Sequence, residues 1–357
     1  MTGEVRYLMN AWYVAALSTE VDGEVLFRRK ILDISILLYR KHNGEPVAMR
    51  DRCAHRFLPL SMGKREGDIV VCHYHGLKYD YTGKCVHSPH GDGRIPKAAV
   101  VQSFPVVERD GFLWIWLGDT EKADPSKILD CSMLSKSPKD AVFYFAIRNN
   151  ANYELMTDNI MDLTHIDHLH GPLINTNGKL SPLIPEVTEE RDDINIRWDW
   201  KADPAMQLLA VHLEEPEGKA DQFFSVKWHA PSNMHLQVGA VQGSDDYHKD
   251  GVVLYDHHIM TPETAKSTHY FFGSARNYKQ YDAEYNEMHK EGLRTAFATE
   301  DKPVIDLQQE EIETTDLFSL NPVLLSSDAG NVRVRRKLKA LIEEEVSQGD
   351  TNSTAMK

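Results

Sequence analysis

The sequence predicts an α+β protein of two domains, an all-β region followed by a region of mixed composition. Over the first 120 residues, short runs rich in Val, Ile, Leu and Tyr, such as 34–39, alternate with turn signals such as Asn43-Gly44, a pattern typical of antiparallel strands. Between Asp119 and Lys139 the pattern gives way to Asp, Pro, Ser and Lys, which indicates a connection between domains. We therefore expect one domain over residues 1–125 and a second over 126–357.

The second region combines the periods of strands and helices. Residues 184–275 contain alternating strand-like runs, including 223–228 and 252–260. Three other segments have helical composition and spacing, namely 152–169, 278 to about 313, and 330–346.

Composition excludes several classes of protein. With 41% apolar and 26% charged residues, the chain has the make-up of a soluble globular protein. The opening segment contains Glu4 and Arg6 and does not resemble a signal peptide, and no run approaches the length of a membrane helix. We therefore expect a cytoplasmic protein with no membrane partner. A net charge of −14 argues against a nucleic-acid binder.

The most informative motif consists of two Cys–His pairs. Cys53 and His55 form the first pair, and Cys72 and His75 form the second. A Rieske centre needs this supply, with two Cys on one iron and two His on the other. A structural zinc site uses the same four side chains, although only Ala54 separates the first pair and zinc pairs are usually spaced more widely. A chance arrangement is the third interpretation.

The remaining nearby candidates fit the motif less well. His73 follows Cys72 directly, whereas His75 matches the pattern of the second pair. Cys85 and Cys131 belong to neither pair, so we expect both to be small core residues.

A second group of residues indicates a mononuclear metal site. Asn159, Asp162 and His165 follow one another at steps of three, so a helix would place them on one stripe. His170 is about 140° from His165 on an ideal helix, so the two share a metal only if the helix distorts or ends. His168 is the easier partner on spacing alone, and spacing leaves both open. Two histidines and a carboxylate form the facial triad of Fe(II) oxygenases, whereas a polar helix face is the alternative.

At this point the chain resembles a known family. The two Cys–His pairs, followed by Gly76, resemble the Rieske domain of ring-hydroxylating and O-demethylating oxygenases. The segments Asn10–Ala15 and Ser103–Arg109 resemble its demethylase branch, the vanillate and dicamba O-demethylase oxygenases. The resemblance implies an N-terminal all-β Rieske domain and a helix-grip-like catalytic domain, in which a curved antiparallel sheet surrounds a long helix.

The resemblance also implies the metal ligands. The cluster ligands are Cys53, His55, Cys72 and His75. The family pattern Asp-x-x-His-x-x-x-x-His falls on Asp162, His165 and His170, and the last two become iron ligands. Asp301 corresponds to the third ligand, with Glu300 and Asp306 as its nearest competitors.

Further roles come from the same likeness. Asp162 corresponds to an Asp that links a Rieske histidine of one subunit, here His75, to an iron ligand of its neighbour, here His165. This role implies a head-to-tail homotrimer. Asn159 corresponds to an Asn close to the iron. On predicted strands, His235 and His258 are candidates for hydrogen bonds to the substrate.

The implied activity is that of a terminal oxygenase in a multicomponent Rieske monooxygenase. It would use a [2Fe–2S] cluster, Fe(II), O₂ and electrons from a ferredoxin or flavin reductase to demethylate a small aromatic compound at O or N. The chain contains no Gly-x-Gly-x-x-Gly after a strand, so NAD(P)H is expected to act only through the separate reductase. The alternatives are a ring-hydroxylating dioxygenase on the same scaffold, a zinc-stapled binding protein and a Rieske electron carrier with an inert second domain.

Overall fold

The computed structural model describes residues 7–23 and 25–349, so Glu4 and Arg6, used above against a signal peptide, lie outside the described part. The chain divides into two compact units. Among the described residues, one unit comprises Tyr7–Ile128 together with 344–349, and the other comprises Leu129–Glu343. None of the helices in the described ranges has the length and apolar character needed to cross a membrane.

Strands dominate the N-terminal unit. Its three antiparallel sheets have the orders β1-β11-β10, β2-β3-β4-β9 and β5-β6-β7-β8. The strands are β1 (Trp12–Leu17), β2 (Phe27–Ile31), β3 (Ile34–Arg40), β4 (Pro46–Arg50), β5 (Lys64–Glu66), β6 (Ile69–Val71), β7 (Lys78–Tyr79), β8 (Cys85–His87), β9 (Ser103–Phe104), β10 (Val106–Arg109) and β11 (Phe112–Trp116). The predicted strand at 34–39 is confirmed as β3.

A compact hydrophobic core fixes the Cys–His loops of this unit. Cys53, Cys72 and Cys85 pack in it beside Tyr79 and the apolar side chains of β3 and β4. All four cysteines of the protein are buried and outside any disulfide, and Cys131 lies in the core of the other unit with no exposed surface. The prediction that Cys85 and Cys131 are core residues is confirmed.

The C-terminal unit is built on one antiparallel sheet of seven strands in the order β12-β18-β17-β16-β15-β14-β13. Its strands are β12 (Val142–Asn149), β13 (Glu186–Glu190), β14 (Asp193–Pro204), β15 (Lys219–His229), β16 (Asn233–Val241), β17 (Val252–Thr264) and β18 (Ser267–Arg276). Its helices are α1 (Ser132–Lys136), α2 (Tyr153–Met161), α3 (Ile166–Leu169), α4 (Gln207–Ala210), α5 (Tyr247–Asp250), α6 (Ala283–Ala296), α7 (Lys302–Glu311) and α8 (Ala329–Ser347), the last of which ends in the N-terminal unit. The strands predicted between 184 and 275 and the helix predicted at 330–346 are confirmed.

The single helix predicted over 152–169 is wrong in one respect that matters for the site. Helix α2 ends at Met161, and Asp162 has an extended backbone with φ −124° and ψ 91°. A short 3₁₀ turn, Leu163–His165, and helix α3 follow. The Asp162 carboxylate accepts a hydrogen bond from the Thr164 N–H, so it caps the new turn rather than continuing the old helix. Asn159, Asp162 and His165 therefore do not lie on one helical stripe.

The predicted helix from 278 to about 313 is confirmed in outline, with one interruption. It starts at Ala283, and a π-helical turn over Phe297–Asp301 separates α6 from α7. Pro303, at the start of α7, has no N–H to donate to the preceding turn, which gives a local reason for the widening. Turns of this kind are frequent at functional sites.

Candidate functional site

The two Cys–His pairs lie on two loops of the same construction. In each loop the cysteine N–H donates to the carbonyl five residues ahead, Leu58 or Leu77, at 2.9 Å. The residue four positions ahead donates back to the cysteine carbonyl at 3.0 Å. That residue has a left-handed backbone in both loops, with φ 62° at Phe57 and 68° at Gly76. Because the two loops have the same backbone geometry, the two thiols have equivalent orientations within their loops.

The side chains of these loops meet. The ring centroids of His55 and His75 are 4.5 Å apart, and the thiols of Cys53 and Cys72 are neighbours in the core, each 2% exposed. Burial raises the pKa of the Cys72 thiol, while the main-chain N–H groups of Tyr74 and His75 oppose the rise. Two buried thiols beside two imidazoles nearer the surface suit a cluster with sulfur ligands on one iron and histidines on the other.

A tyrosine hydroxyl also contacts the cluster pocket. The Oη of Tyr79 on β7 lies 3.3 Å from Cys53 Sγ. Hydrogen bonds to the sulfur ligands are among the factors that set the potential of an iron–sulfur cluster. Tyr79 was not among the sequence candidates, although its position seven residues after Cys72, on the strand that follows the loop, is a usable signal.

In the C-terminal unit, His165, His170 and Asp301 form a cluster of possible metal ligands. One ligand atom from each lies within 4.8 Å of the others, and this is the one such group of three found among the described residues. The Nε2 atoms of His165 and His170 lie 3.4 and 3.5 Å from the two carboxylate oxygens of Asp301. Asp301 is 3% exposed, and its Oδ2 has no hydrogen-bond partner. A buried, unpaired carboxylate oxygen facing two imidazoles suits a bound cation.

The opposite side of each histidine ring is held in place. The Nδ1 of His165 contacts the main-chain carbonyl of Asp162 at 2.7 Å, and the Nδ1 of His170 contacts a carboxylate oxygen of Glu300 at 2.5 Å. These contacts leave both Nε2 atoms turned toward Asp301, as in metal sites whose histidines are oriented by outer partners. Burial lowers the pKa of His165, but the opposing effect of Asp301 and Asp162 is larger. The pKa of His165 is therefore raised above its usual value.

The structure separates the competing sequence candidates. It places His170 beside His165, whereas His168 is exposed and its Nε2 lies 3.1 Å from Ser181 Oγ. Asp306 is engaged elsewhere, since it accepts hydrogen bonds from the Lys302 ammonium and from the Asn150 N–H.

Asn159 and Asp162 border the cluster in different ways. The Asn159 amide donates to Asp301 Oδ1 at 3.2 Å, from the last turn of α2. The Asp162 carboxylate accepts from the Thr164 hydroxyl at 2.7 Å, and its contact with His165 is made by its main chain. Within the chain, therefore, the Asp162 carboxylate is held next to His165 without bonding to the ring.

A largely apolar cavity adjoins this cluster, between one face of the sheet and the α6–π-turn segment. Its walls are mainly aliphatic and aromatic, and they include Ile160, Leu208, Phe224, Val238, Leu293 and Phe297. The polar side chains on its walls are His165, His170, Asp256 and His258. This is the usual composition of a small-molecule site, apolar with a few placed polar groups.

The two histidines proposed for substrate contact have different positions. His258 on β17 lines the cavity, with its Nδ1 2.8 Å from the Tyr270 hydroxyl and its Nε2 without a protein partner. Burial lowers the pKa of His258 to about 3, so the ring is neutral. His235 is not among the lining residues. Leu236 and Val238 of the same strand are, so alternation puts His235 on the other face, where its ring stacks on His257 at 4.5 Å. His235 therefore does not line this cavity, contrary to the expectation that it contacts the substrate.

Asp256 is a cavity residue that the sequence reasoning missed. It points to the same face of β17 as His258, and it is only 6% exposed. The available signal was the one acidic residue inside a predicted strand, 252–260, whose other members are apolar or aromatic residues and two histidines. A buried acid at such a position usually has a function or a partner.

Comparison with known proteins identifies the family. Residues 11–105 match the Rieske [2Fe–2S] domain, and residues 149–344 match the vanillate O-demethylase oxygenase C-terminal domain. The chain belongs to this family of Rieske oxygenases. It is 34% identical to the oxygenase component of chloroacetanilide N-alkylformylase from Rhizorhabdus wittichii, over 95% of this chain and 97% of that protein.

Solved structures of family members agree with this assignment. The crystal structure of dicamba monooxygenase bound to 3,6-dichlorosalicylic acid matches with a TM-score of 0.89 and 34% identity, over 96% of this chain and 99% of that one. A structure of dicamba monooxygenase with non-haem iron and dicamba matches with a TM-score of 0.81 and 33% identity, over 96% and 100% of the two chains. The α+β prediction, with a Rieske domain followed by a sheet-rich catalytic domain, is confirmed.

Membership of the family defines the chemistry of the protein. The chain is the terminal oxygenase of a multicomponent Rieske monooxygenase, of the kind that removes alkyl groups, and it works with a separate electron-transfer partner. Its cofactors are a Rieske [2Fe–2S] cluster and a mononuclear non-haem iron. The zinc-stapled binding protein and the simple electron carrier are thereby set aside.

Proposed function

We propose that the enzyme demethylates a small aromatic ether or N-methyl compound. Cys53, His55, Cys72 and His75 hold the [2Fe–2S] cluster, and His165, His170 and Asp301 hold the mononuclear iron. The observation that carries the second assignment is the convergence of three ligand atoms within 4.8 Å around a buried carboxylate oxygen that lacks a partner. When bound, the two iron centres supply electron transfer and O₂ activation.

The cavity supports the choice of a small aromatic substrate. Phe224 and Phe297 offer ring contacts, and aliphatic side chains cover the remaining walls. These groups keep water from the reacting carbon and hold an aromatic ring next to His165 and His170. His258 adds one polar contact through its free Nε2.

The proposed reaction consumes O₂, two electrons and two protons for each methyl group. One oxygen atom becomes a hydroxyl on the methyl carbon, and the other leaves as water. In the resulting hemiacetal or carbinolamine, the bond between the former methyl carbon and the oxygen or nitrogen of the substrate then breaks. This step releases formaldehyde and the demethylated product. Ferredoxin, a flavin reductase, or both supply the electrons, with NAD(P)H as their source.

We also propose that the enzyme is a head-to-tail homotrimer in which Asp162 links His165 to His75 of a neighbouring copy. This role is supported by the position of Asp162, which is half-buried and held beside His165 by its contacts with Thr164. His75 is also half-buried, so part of its ring is available at the surface of the N-terminal unit. The link would run from His75 of the neighbouring copy to the Asp162 carboxylate and, through the Asp162 main-chain carbonyl, to His165 Nδ1, which would shorten the electron path.

The decisive experiment measures metal content and product together. About three irons and two acid-labile sulfides per chain, with a Rieske EPR signal after dithionite reduction, are expected. Turnover with a methoxyarene and a reductase should release formaldehyde in a ratio of one to O₂ consumed. A cis-diol product without formaldehyde would instead establish ring dihydroxylation.

A further inference from the structure

Asp256 lies at a constrained position in the cavity wall. On β17 it faces the cavity between Leu254 and His258, and across the sheet it pairs with Leu236 on β16 and Ser274 on β18. Both Leu neighbours also line the cavity. The carboxyl group therefore lies between apolar side chains, with His258 and Ser274 as its polar neighbours, at the surface against which a substrate ring would lie.

The protein leaves this carboxyl group unsatisfied. Its Oδ1 is buried with no hydrogen-bond partner, and no well-formed hydrogen bond joins it to the opposite Ser274 hydroxyl, which is itself unpartnered. Burial raises the pKa of Asp256 to about 7, against a smaller opposing effect of Ser274. An unpaired buried carboxyl group costs the fold stability, so its presence on a cavity wall points to a ligand that supplies the missing partner.

The other charges of the cavity narrow the chemistry of that ligand. Within the described chain, no Lys or Arg lines the cavity, and His258 is neutral. A carboxylate or sulfonate on the substrate would thus find no cationic side chain and would approach Asp256. A neutral O–H or N–H group would instead donate to Asp256 and relieve its unmet hydrogen bond.

We propose that Asp256 selects for aromatic substrates that carry a neutral hydrogen-bond donor and selects against anionic ones. The inference rests on the proposed function only in taking this cavity as the substrate site. Asp256 is a specificity-determining residue in this scheme and takes no part in oxygen chemistry. A substrate without a donor would leave the carboxyl group unsatisfied and bind more weakly.

The test compares four probes of similar size on the iron-loaded holoenzyme at pH 8. 4-Methoxyphenol and 4-methoxyaniline carry donors, 4-methoxybenzoate is an anion, and 4-methylanisole is neutral without a donor. Isothermal titration should show the two donor probes binding at least about tenfold more tightly than the other two, the effect of one hydrogen bond to a charged acceptor. Equal affinity for all four, tighter binding of the benzoate, or no binding of either donor probe would overturn the proposal.

Variants of Asp256 then test whether this residue causes the preference for donor probes. Asp256→Leu should abolish the preference for donors over 4-methylanisole, and Asp256→Asn should improve 4-methoxybenzoate binding while keeping an acceptor. Asp245→Asn, at an exposed carboxylate that does not line the cavity, is the matched control and should change nothing. An unchanged preference in a folded Asp256→Leu protein would overturn the assignment to Asp256.

Formaldehyde release separates this inference from the proposed function. Donor preference with formaldehyde release supports both proposals. The same preference with O₂ consumed and no formaldehyde leaves the selectivity of Asp256 standing and overturns demethylation. Formaldehyde release from the anion as readily as from the phenol leaves demethylation standing and overturns the inference.

Discussion

The Nδ1 of His170 lies 2.5 Å from a carboxylate oxygen of Glu300, on the side of the ring away from Asp301. Glu300 and Asp301 are adjacent in sequence, and the π turn sends their side chains to opposite sides of the same imidazole. Glu300 was, with Asp306, one of the two nearest competitors of Asp301 for the third ligand. Its position instead makes it the group that orients His170.

Replacing Glu300 should therefore weaken iron binding without removing a ligand. Glu300→Leu is expected to raise the Kd for Fe(II) about 10- to 100-fold, the usual effect of losing an orienting partner. Glu300→Gln keeps an acceptor for the Nδ1–H and should lose much less. Fe(II) titration of the apoprotein, with the visible spectrum of the cluster as internal control, measures this. Wild-type affinity in the Leu variant would show that His170 needs no such partner.

The neighbouring histidines provide a matched pair of variants. His170→Ala should lose the mononuclear iron and at least about 1000-fold of turnover while keeping the cluster colour, since a triad cannot form from one histidine. His168→Ala removes an exposed ring that contacts Ser181 and should retain both. Iron analysis and O₂ consumption provide the comparison. Loss of iron in the His168 variant alone would reverse the assignment.

Part of this site was predictable from sequence, and part depended on backbone geometry. The spacing of the Cys–His pairs predicts a Rieske centre because the four residue types and their intervals rarely coincide otherwise. Spacing could not decide between His168 and His170, because the decision follows from the break at Asp162. The periodicity of 252–260 predicted a strand correctly, but it did not show which face met the cavity. The face that meets the cavity depends on the register of the strands, which places His258 on that face and His235 on the opposite one.

The contact of Tyr79 with Cys53 predicts a change in the cluster potential. We expect the hydroxyl, 3.3 Å from the sulfur, to stabilise the reduced and more negative cluster by donating a hydrogen bond. Tyr79→Phe should lower the reduction potential by roughly 50 mV, the one-electron equivalent of about 1 kcal/mol. Protein-film voltammetry measures the potential directly, and an unchanged iron and sulfide content is the control. An unchanged potential would mean that the hydroxyl does not donate to the sulfur.

An ion-pair network supports helix α2, which carries Asn159. Arg335 on α8 contacts the Asp158 carboxylate at 2.6 Å and Glu154 at 3.1 Å, and its own side chain is 7% exposed. Burial raises the pKa of Glu154 to about 7, so the carboxyl groups depend on this guanidinium to stay charged. Arg335→Leu should reduce the free energy of unfolding by about 3–5 kcal/mol because it leaves buried acids unpaired.

Denaturant unfolding of the variant and of Arg336→Leu checks this expectation. Arg336 is the next residue on the same helix and is exposed, so its replacement should change stability by no more than about 0.5 kcal/mol. Adding Asp158→Asn to Arg335→Leu should recover part of the loss. Similar stabilities for the two Arg variants would show that the network contributes little.

The raised pKa of Asp256 predicts a pH dependence of stability with a definite sign. Burial raises this pKa to about 7, whereas the unfolded chain has the ordinary value of about 3.9. Between these values the folded state binds more protons than the unfolded state, so this group lowers the stability as pH rises and its full cost is reached above pH 7. Each unit of pKa shift corresponds to about 1.4 kcal/mol.

Asp256→Asn removes the titrating group, so the stability of this variant relative to the wild type should increase from pH 5 to pH 7 and then stay constant. Melting temperatures of the wild type, Asp256→Asn and the exposed control Asp245→Asn across pH 5–8 test this. A difference that falls with pH, or one that the control variant reproduces, would contradict the placement of Asp256 as an unpaired acid in the cavity wall, because a desolvated carboxyl group without a cationic partner titrates in the opposite direction.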